Sequence, residues 1–281
     1  GALGTGTFAI RGGTTVQATG VRSISNAVSA AGDFTVGGAN PITFAGPVTL
    51  TADRTITTSV ATTISGAIGD GGGGYKLTKA GGSGLTLSGA STYTGDTTVS
   101  ANTLTLNGLT GRLNGSVIVN SGTTFAIDNT AGTDIVNLPA SASVTLANTA
   151  VFTMASPTSG TNNRTESIAN LILTGNAATL TLTSSGTNLC DLTVGAITRP
   201  AGSALTFNKS GVPAISHLFI TGYPDNAPVP YVTVNDGTSG PGVYSTANGV
   251  VRAATGNSYV SNGTAPQNWN NTATLTRRRW R

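Results

Sequence analysis

The chain has 281 residues, of which 39 are Gly, only 9% are charged and 5% are aromatic. Disorder requires high charge and few branched apolar residues, whereas Val, Ile and Leu recur in almost every block of ten here, so the chain is expected to fold. The net charge of +4 sits at the C-terminus, where Arg277, Arg278, Arg279 and Arg281 are four of the fourteen basic residues; the other ten balance ten acidic ones, which leaves no basic face for nucleic acid.

Short alternating runs open the chain at Gly6–Ile10, Thr15–Ala18 and Asp33–Val36, each closed by Gly or Asn. They predict thin strands near one end of a solenoid. Pro41 and Pro47 then precede two further strands within Asn40–Thr51, positions where a missing N–H is tolerated. Arg54–Thr57 and Thr62–Ser65 lead into the run Gly71–Gly74. A phosphate cradle would need a helix N-terminus after such glycines, but Tyr75–Thr78 reads as strand. A calcium repeat would need Asp at a fixed period, and Asp70 has no such partner. The run is read as a corner.

The stretch Leu77–Gly108 carries the organising pattern. Its cassette Leu85–Gly89 (LTLSG) returns nineteen residues later as Leu104–Gly108 (LTLNG), with Thr97–Val99 between them. Each cassette turns two leucines to one face and a threonine to the other. So small an apolar face buries itself only when identical strands stack at about 4.7 Å, Leu on Leu and Thr on Thr. A solenoid satisfies that condition, since each unit buries its apolar face against the units above and below.

These residues resemble the autotransporter-associated β-strand repeat, whose pattern runs roughly LTKxGxGxLTLSGxNTYxGxTTVxxGxLxLxG. The match holds at Leu77, Thr78, Lys79, Gly81, Gly84, Leu85–Gly89, Thr92–Gly95, Thr97–Val99 and Leu104–Leu106, and departs at Asp96 and Asn102. Ile64–Asp70 and Gly115–Thr124 look like flanks of the same family. The resemblance implies a right-handed β-helix on, or secreted from, a bacterial cell surface. It implies no particular reaction.

Strands are predicted to continue through Ser116–Val119, Thr124–Ile127, Asp134–Leu138, Ser143–Leu146 and Val151–Met154. The polar stretch Asn162–Ser167 reads as a projecting loop. A dense series resumes at Leu171–Thr174, Thr179–Thr183, Leu189–Val194 and Ala204–Phe207, and no amphipathic helix is found. Residues 1–209 are therefore assigned to the solenoid. Between 210 and 271, six prolines and most of the tyrosines concentrate around strands at His217–Ile220, Tyr231–Val234 and Gly249–Arg252. This reads as an embellished end or cap, with a small separate domain as the alternative. The basic tail 272–281 begins with Thr-Leu-Thr, as does Val48–Thr55, which suggests the start of a further rung; an anchor to anionic lipid or glycan is the other reading.

Little chemistry is legible. Some β-helices cleave polysaccharides with clustered Asp and a basic residue, but the ten acidic residues are dispersed, and only Asp33, Asp53 and Asp70 are spaced to meet across rungs. His217 and Cys190 lack a third orienting group or enough ligands for a metal and are read as packed side chains. Lone Cys190 allows no intrachain disulfide. A crosslink from Lys76, Lys79 or Lys209 to Asn would need a buried acid that sequence cannot place. The acceptor tripeptides at Asn114, Asn163 and Asn262 are expected by chance and to stay unmodified. No catalytic residue, cofactor or metal site is assigned. The interaction candidates are Tyr223, Tyr231, Tyr244, Arg277, Arg278 and Arg279.

The sequence thus predicts an all-β, single-stranded β-solenoid with about nineteen residues per rung and at most about fifteen rungs. Its expected role is that of an extracellular structural protein at the bacterial surface, stacking end to end with itself or forming one unit of a longer fibre. A passenger adhesin that grips glycan or host protein is the alternative, and a polysaccharide-active enzyme comes third. Gly1 is not an initiator Met and no leader precedes the repeats, so the sequence is expected to begin after processing or partway along a longer protein. No run of eighteen apolar residues predicts a membrane span, and the second half lacks the strands of an autotransporter barrel.

Overall fold

The computed structural model describes residues 3–107, 110–131, 136–158, 163–212, 215–237, 239–245, 248–252, 257–261 and 266–270. Among them the protein is all-β, a solenoid of about 9 turns averaging about 23 residues each.

Three parallel sheets form its sides. The first stacks Phe8–Ile10, Val28–Ala30, Val48–Leu50 and Ile68–Gly69. The second has ten strands, from Thr14–Gln17 through Leu77–Ala80, Thr97–Val99 and Arg164–Leu173 to Cys190–Thr198 and Ser216–Ile220. The third begins with Arg22–Ile24, Ile42–Phe44, Thr62–Ile64, Leu85–Leu87 and Thr103–Asn107. It continues through Thr124–Asp128, Val151–Ala155, Ala178–Thr183 and Leu205–Ser210 to Pro228–Asn235. Here alternation does what the cassettes predict. Leu85 lies on Leu104 and Leu87 on Leu106, all fully buried, while Thr86 lies on Thr105 outside. Phe125 lies on Phe152 with their rings stacked at 5.3 Å.

The nineteen-residue spacing is local to that cassette. Register partners Val28 and Val48 are 20 apart, Thr62 and Leu85 are 23 apart, Val117 and Val144 are 27 apart, and Phe152 and Leu180 are 28 apart. Fewer, larger turns result than the sequence suggested. The added residues go into wider sides, since third-sheet strands grow from three residues at Ile42–Phe44 to six at Ala178–Thr183. The first sheet ends at Ile68–Gly69; beyond it successive turns are joined by isolated contacts, such as the Thr92 amide donating to the Ile68 carbonyl at 2.8 Å and the parallel bridge Ala90–Arg112.

One corner carries Gly46, Gly66 and Gly89 in successive turns. A Cβ added to Gly66 would overlap the carbonyl oxygen of Gly46, and one on Gly89 would overlap that of Gly66. Glycine is what lets these backbones close to strand spacing. After Pro228–Asn235 the third sheet changes direction: Ser239–Ser245 and Gly249–Arg252 add antiparallel strands. Asn257–Ser261 and Pro266–Asn270 form a separate antiparallel pair.

Candidate association face

The two ends of the solenoid differ. At the N-terminal end, Phe8–Ile10, Thr14–Gln17 and Arg22–Ile24 are the outermost strands of the three sheets, so each has one edge with no neighbouring strand among the described residues. Phe8 and Ile24 point inward yet are only partly buried, since no turn lies beneath them among the described residues. They and Val16 line a concavity of about 660 Å³ whose rim includes Leu3, Arg22 and Asn26. Leu3 is 53% and Val21 72% exposed, two of the most exposed large apolar side chains described. The Asn26 carboxamide donates to the carbonyls of Gly4 at 2.9 Å and Gly6 at 2.7 Å, tying the first corner to the second turn. Free strand edges around an apolar centre template further pairing.

The C-terminal end is covered instead. Gly249 lies so close over Leu218 that an added Cβ would overlap its carbonyl. Leu218, Val232, Val234 and Val250 are almost wholly buried. The antiparallel strands thus cover the interior of the last turn, while Ser216–Ile220 remains the outermost strand of the second sheet among the described residues.

Among the buried polar groups between these ends, three include charged side chains that were not read from the sequence as buried partners. Lys79 takes an inward position between Ile56 and Val99 in the second sheet and is fully buried. Its ammonium donates to the carbonyls of Ala80 at 3.2 Å, Gly81 at 2.9 Å and Ala101 at 2.8 Å, binding its own corner to that of the next turn. These partners are carbonyls rather than the carboxamide that a crosslink would need. Burial pushes the Lys79 amine down to about 8, so it stays charged at neutral pH. Between that value and the ordinary 10.5 of the unfolded chain, the unfolded state binds more protons, so stability rises with pH through this window. Thermal melts at pH 7.5 and pH 10 are expected to show Tm rising less in Lys79→Met than in the parent. An equal rise in both would assign the effect to other groups.

The second group overturns a sequence reading. Arg164–Ser167 is no projecting loop, because it forms the start of the strand Arg164–Leu173, with Arg164 and Glu166 turned into the core. Arg164 Nη2 is paired with Glu166 Oε2 and donates to Asn137 Oδ1 at 2.7 Å. Glu166 also accepts the backbone amides of Asn137 at 3.2 Å and Leu138 at 2.9 Å, and Asn137 in turn donates to the Gly111 carbonyl. The side chains of Arg164–Ser167 alternate inward and outward, but all four are polar, so the sequence carried no apolar period to mark the strand.

The third group is Asp191 with His217, register partners on the outer face of the second sheet, joined at 2.6 Å from Oδ1 to Nδ1. Burial raises the Asp191 carboxyl, against the lowering effect of the His217 hydrogen bond. Cys190 lies on the opposite, inner face of the same strand, and burial pushes its thiol up to about 12. The two residues weighed as a Cys–His pair are thus separated by the sheet, and Cys190 is an inert core side chain.

Among the acidic residues, Asp33 and Asp53 do occupy equivalent corners. Asp33 accepts the Thr55 amide at 2.9 Å and Asp53 the Lys76 amide at 2.9 Å, each bracing the turn above. Asp70 lies elsewhere and closes the glycine run by accepting the amides of Gly72 at 3.0 Å and Tyr75 at 3.1 Å. No group of three or more metal-ligating side chains occurs among the described residues. No helix there is long and apolar enough to cross a membrane.

Of the predicted interaction residues, Tyr223 and Tyr231 come together but are half-buried against the core. The Tyr223 hydroxyl donates to the Pro228 carbonyl at 2.8 Å. The Arg199 guanidinium covers the Tyr231 ring at 4.4 Å, and burial raises the Tyr231 phenol to about 12. Tyr244 lies on the strand Ser239–Ser245, while Arg277, Arg278 and Arg279 fall outside the described residues. Comparison with family models, with curated proteins and with solved structures finds no match.

Proposed function

We propose that the protein is an extracellular structural β-solenoid of a bacterial surface, of the autotransporter-repeat type, that stacks end-on through its N-terminal face on a further solenoid turn, as one unit of a fibre. The observation that carries this reading is the N-terminal end, where three strand edges without a neighbour among the described residues surround half-exposed Phe8 and Ile24. The occupant fitted to the open face is another β-solenoid turn, because it alone supplies strands at matching positions on all three sides together with an apolar centre. The adhesin reading is weaker. Glycan stacking needs an open ring face, and Tyr231 has Arg199 over one of its faces. No reaction, cofactor or metal forms part of the proposal.

Sedimentation velocity and negative-stain electron microscopy across a concentration series test it. Rods joined end to end, dispersed by Leu3→Asp and Val21→Asp with the melting curve unchanged, are the expected result. Single rods at every concentration, or end-to-end assemblies indifferent to both substitutions, would overturn it.

A further inference from the structure

The outer face of the third sheet holds a feature unrelated to end-on association. Ladder register places Thr43, Thr63, Thr86 and Thr105 directly above one another on consecutive strands, and after Ala126 the column resumes with Thr153 and Thr181. A second column runs beside it two residues away through Thr103, Thr124, Val151, Thr179 and Thr206. The hydroxyls of Thr43, Thr63, Thr86, Thr105 and Thr153 have no hydrogen-bond partner among the described residues. All five are part-exposed, packed side by side along the column.

This face is also stripped of what other ligands require. From Ile42–Phe44 to Leu205–Ser210, every aromatic ring on these strands is buried inside, at Phe44, Phe125, Phe152 and Phe207. Asp128 and Lys209 are the charged residues on these strands. Asp128 turns back to its own loop, accepting the Thr130 hydroxyl at 2.7 Å and its amide at 3.1 Å. Lys209 shares the register of inward-facing Leu182. A glycan site would show exposed rings or carboxylates, and a nucleic-acid site would show cations. What remains is a plane of methyls and hydroxyls repeating at about 4.7–4.9 Å across the strands and about 6.6 Å along them.

We propose that this face binds ice. Its two repeats approach the oxygen spacings on exposed planes of hexagonal ice, so that fixed hydroxyls stand in for lattice water while the methyls between them order the layer above. β-branched side chains held at χ1 by their column neighbours present the array with little entropy left to lose. The second sheet stacks Thr55, Thr78 and Thr98 in the same way, but farther along the column alternates Ile118, Thr145 and Ile172. That farther stretch is the internal control.

Thermal hysteresis, measured by nanolitre osmometry on the whole chain, is the test, together with uptake of the protein into a slowly growing ice shell. The parent is expected to show hysteresis and faceted crystals. Thr86→Tyr and Thr105→Tyr, which raise a ring from the middle of the array, are expected to reduce hysteresis at least fivefold with circular dichroism and Tm preserved, whereas Thr145→Tyr, between Ile118 and Ile172 on the second sheet, leaves it intact. No hysteresis in the parent, equal loss from Thr145→Tyr, or capture by crystalline cellulose or chitin without entry into ice would overturn the proposal.

Discussion

Glu166→Leu is expected to lower stability by about 3–5 kcal/mol, because it leaves the fully buried Arg164 guanidinium without its counter-charge. The loss extends beyond the pair: the amides of Asn137 and Leu138 also lose their acceptor, and these belong to the preceding turn. Arg164→Met with Glu166→Leu removes both charges, so the double variant is expected to recover part of the loss. The two amides keep it below the parent. Denaturant unfolding of the four proteins checks this as a double-mutant cycle. A double variant as unstable as the sum of the singles would show that the pair contributes nothing as a pair.

Gly66→Ala is expected to cost about 3 kcal/mol, since its Cβ would overlap the Gly46 carbonyl and both neighbours are backbone that cannot swing aside. In a chain of this size that corresponds to a fall in Tm of about 6–12 °C. Gly122→Ala makes the contrast. Gly122 has φ +72° with open space around it, so alanine there meets backbone strain alone, about 1–2 kcal/mol. Differential scanning calorimetry of both variants separates close approach from φ. Equal shifts would mean that the corner column relaxes freely.

The fold was readable because one element repeats it. Leu85–Leu87 over Leu104–Leu106 announces stacked strands through composition alone, and the structure places them in that register. The pitch was less readable, because nineteen residues was the only interval with a visible repeat, while the wider turns after Val117 conserve direction and burial but no motif. Polar character misled at Arg164–Ser167. Solubility argued for a loop, but strict alternation put Arg164 and Glu166 inside, where each makes the other tolerable. Lys79 was equally opaque, since the three carbonyls that hold it belong to two different turns and become neighbours only once the ladder exists. The threonine columns were visible as letters but not as a plane, because their alignment depends on register across the third sheet.

The spacing of the ladders also governs how the chain can reach its native state. Every parallel contact described above joins residues 19 to 28 apart, so no strand waits for a distant part of the chain before it pairs. Loop closure is repeated at nearly constant, modest entropic cost, and each finished turn is the template for the next. Folding can therefore advance as a front along the axis, in step with delivery of the chain from either terminus. On the third sheet it halts where Ser239–Ser245 reverses direction and leaves a parallel newcomer no matching strand there.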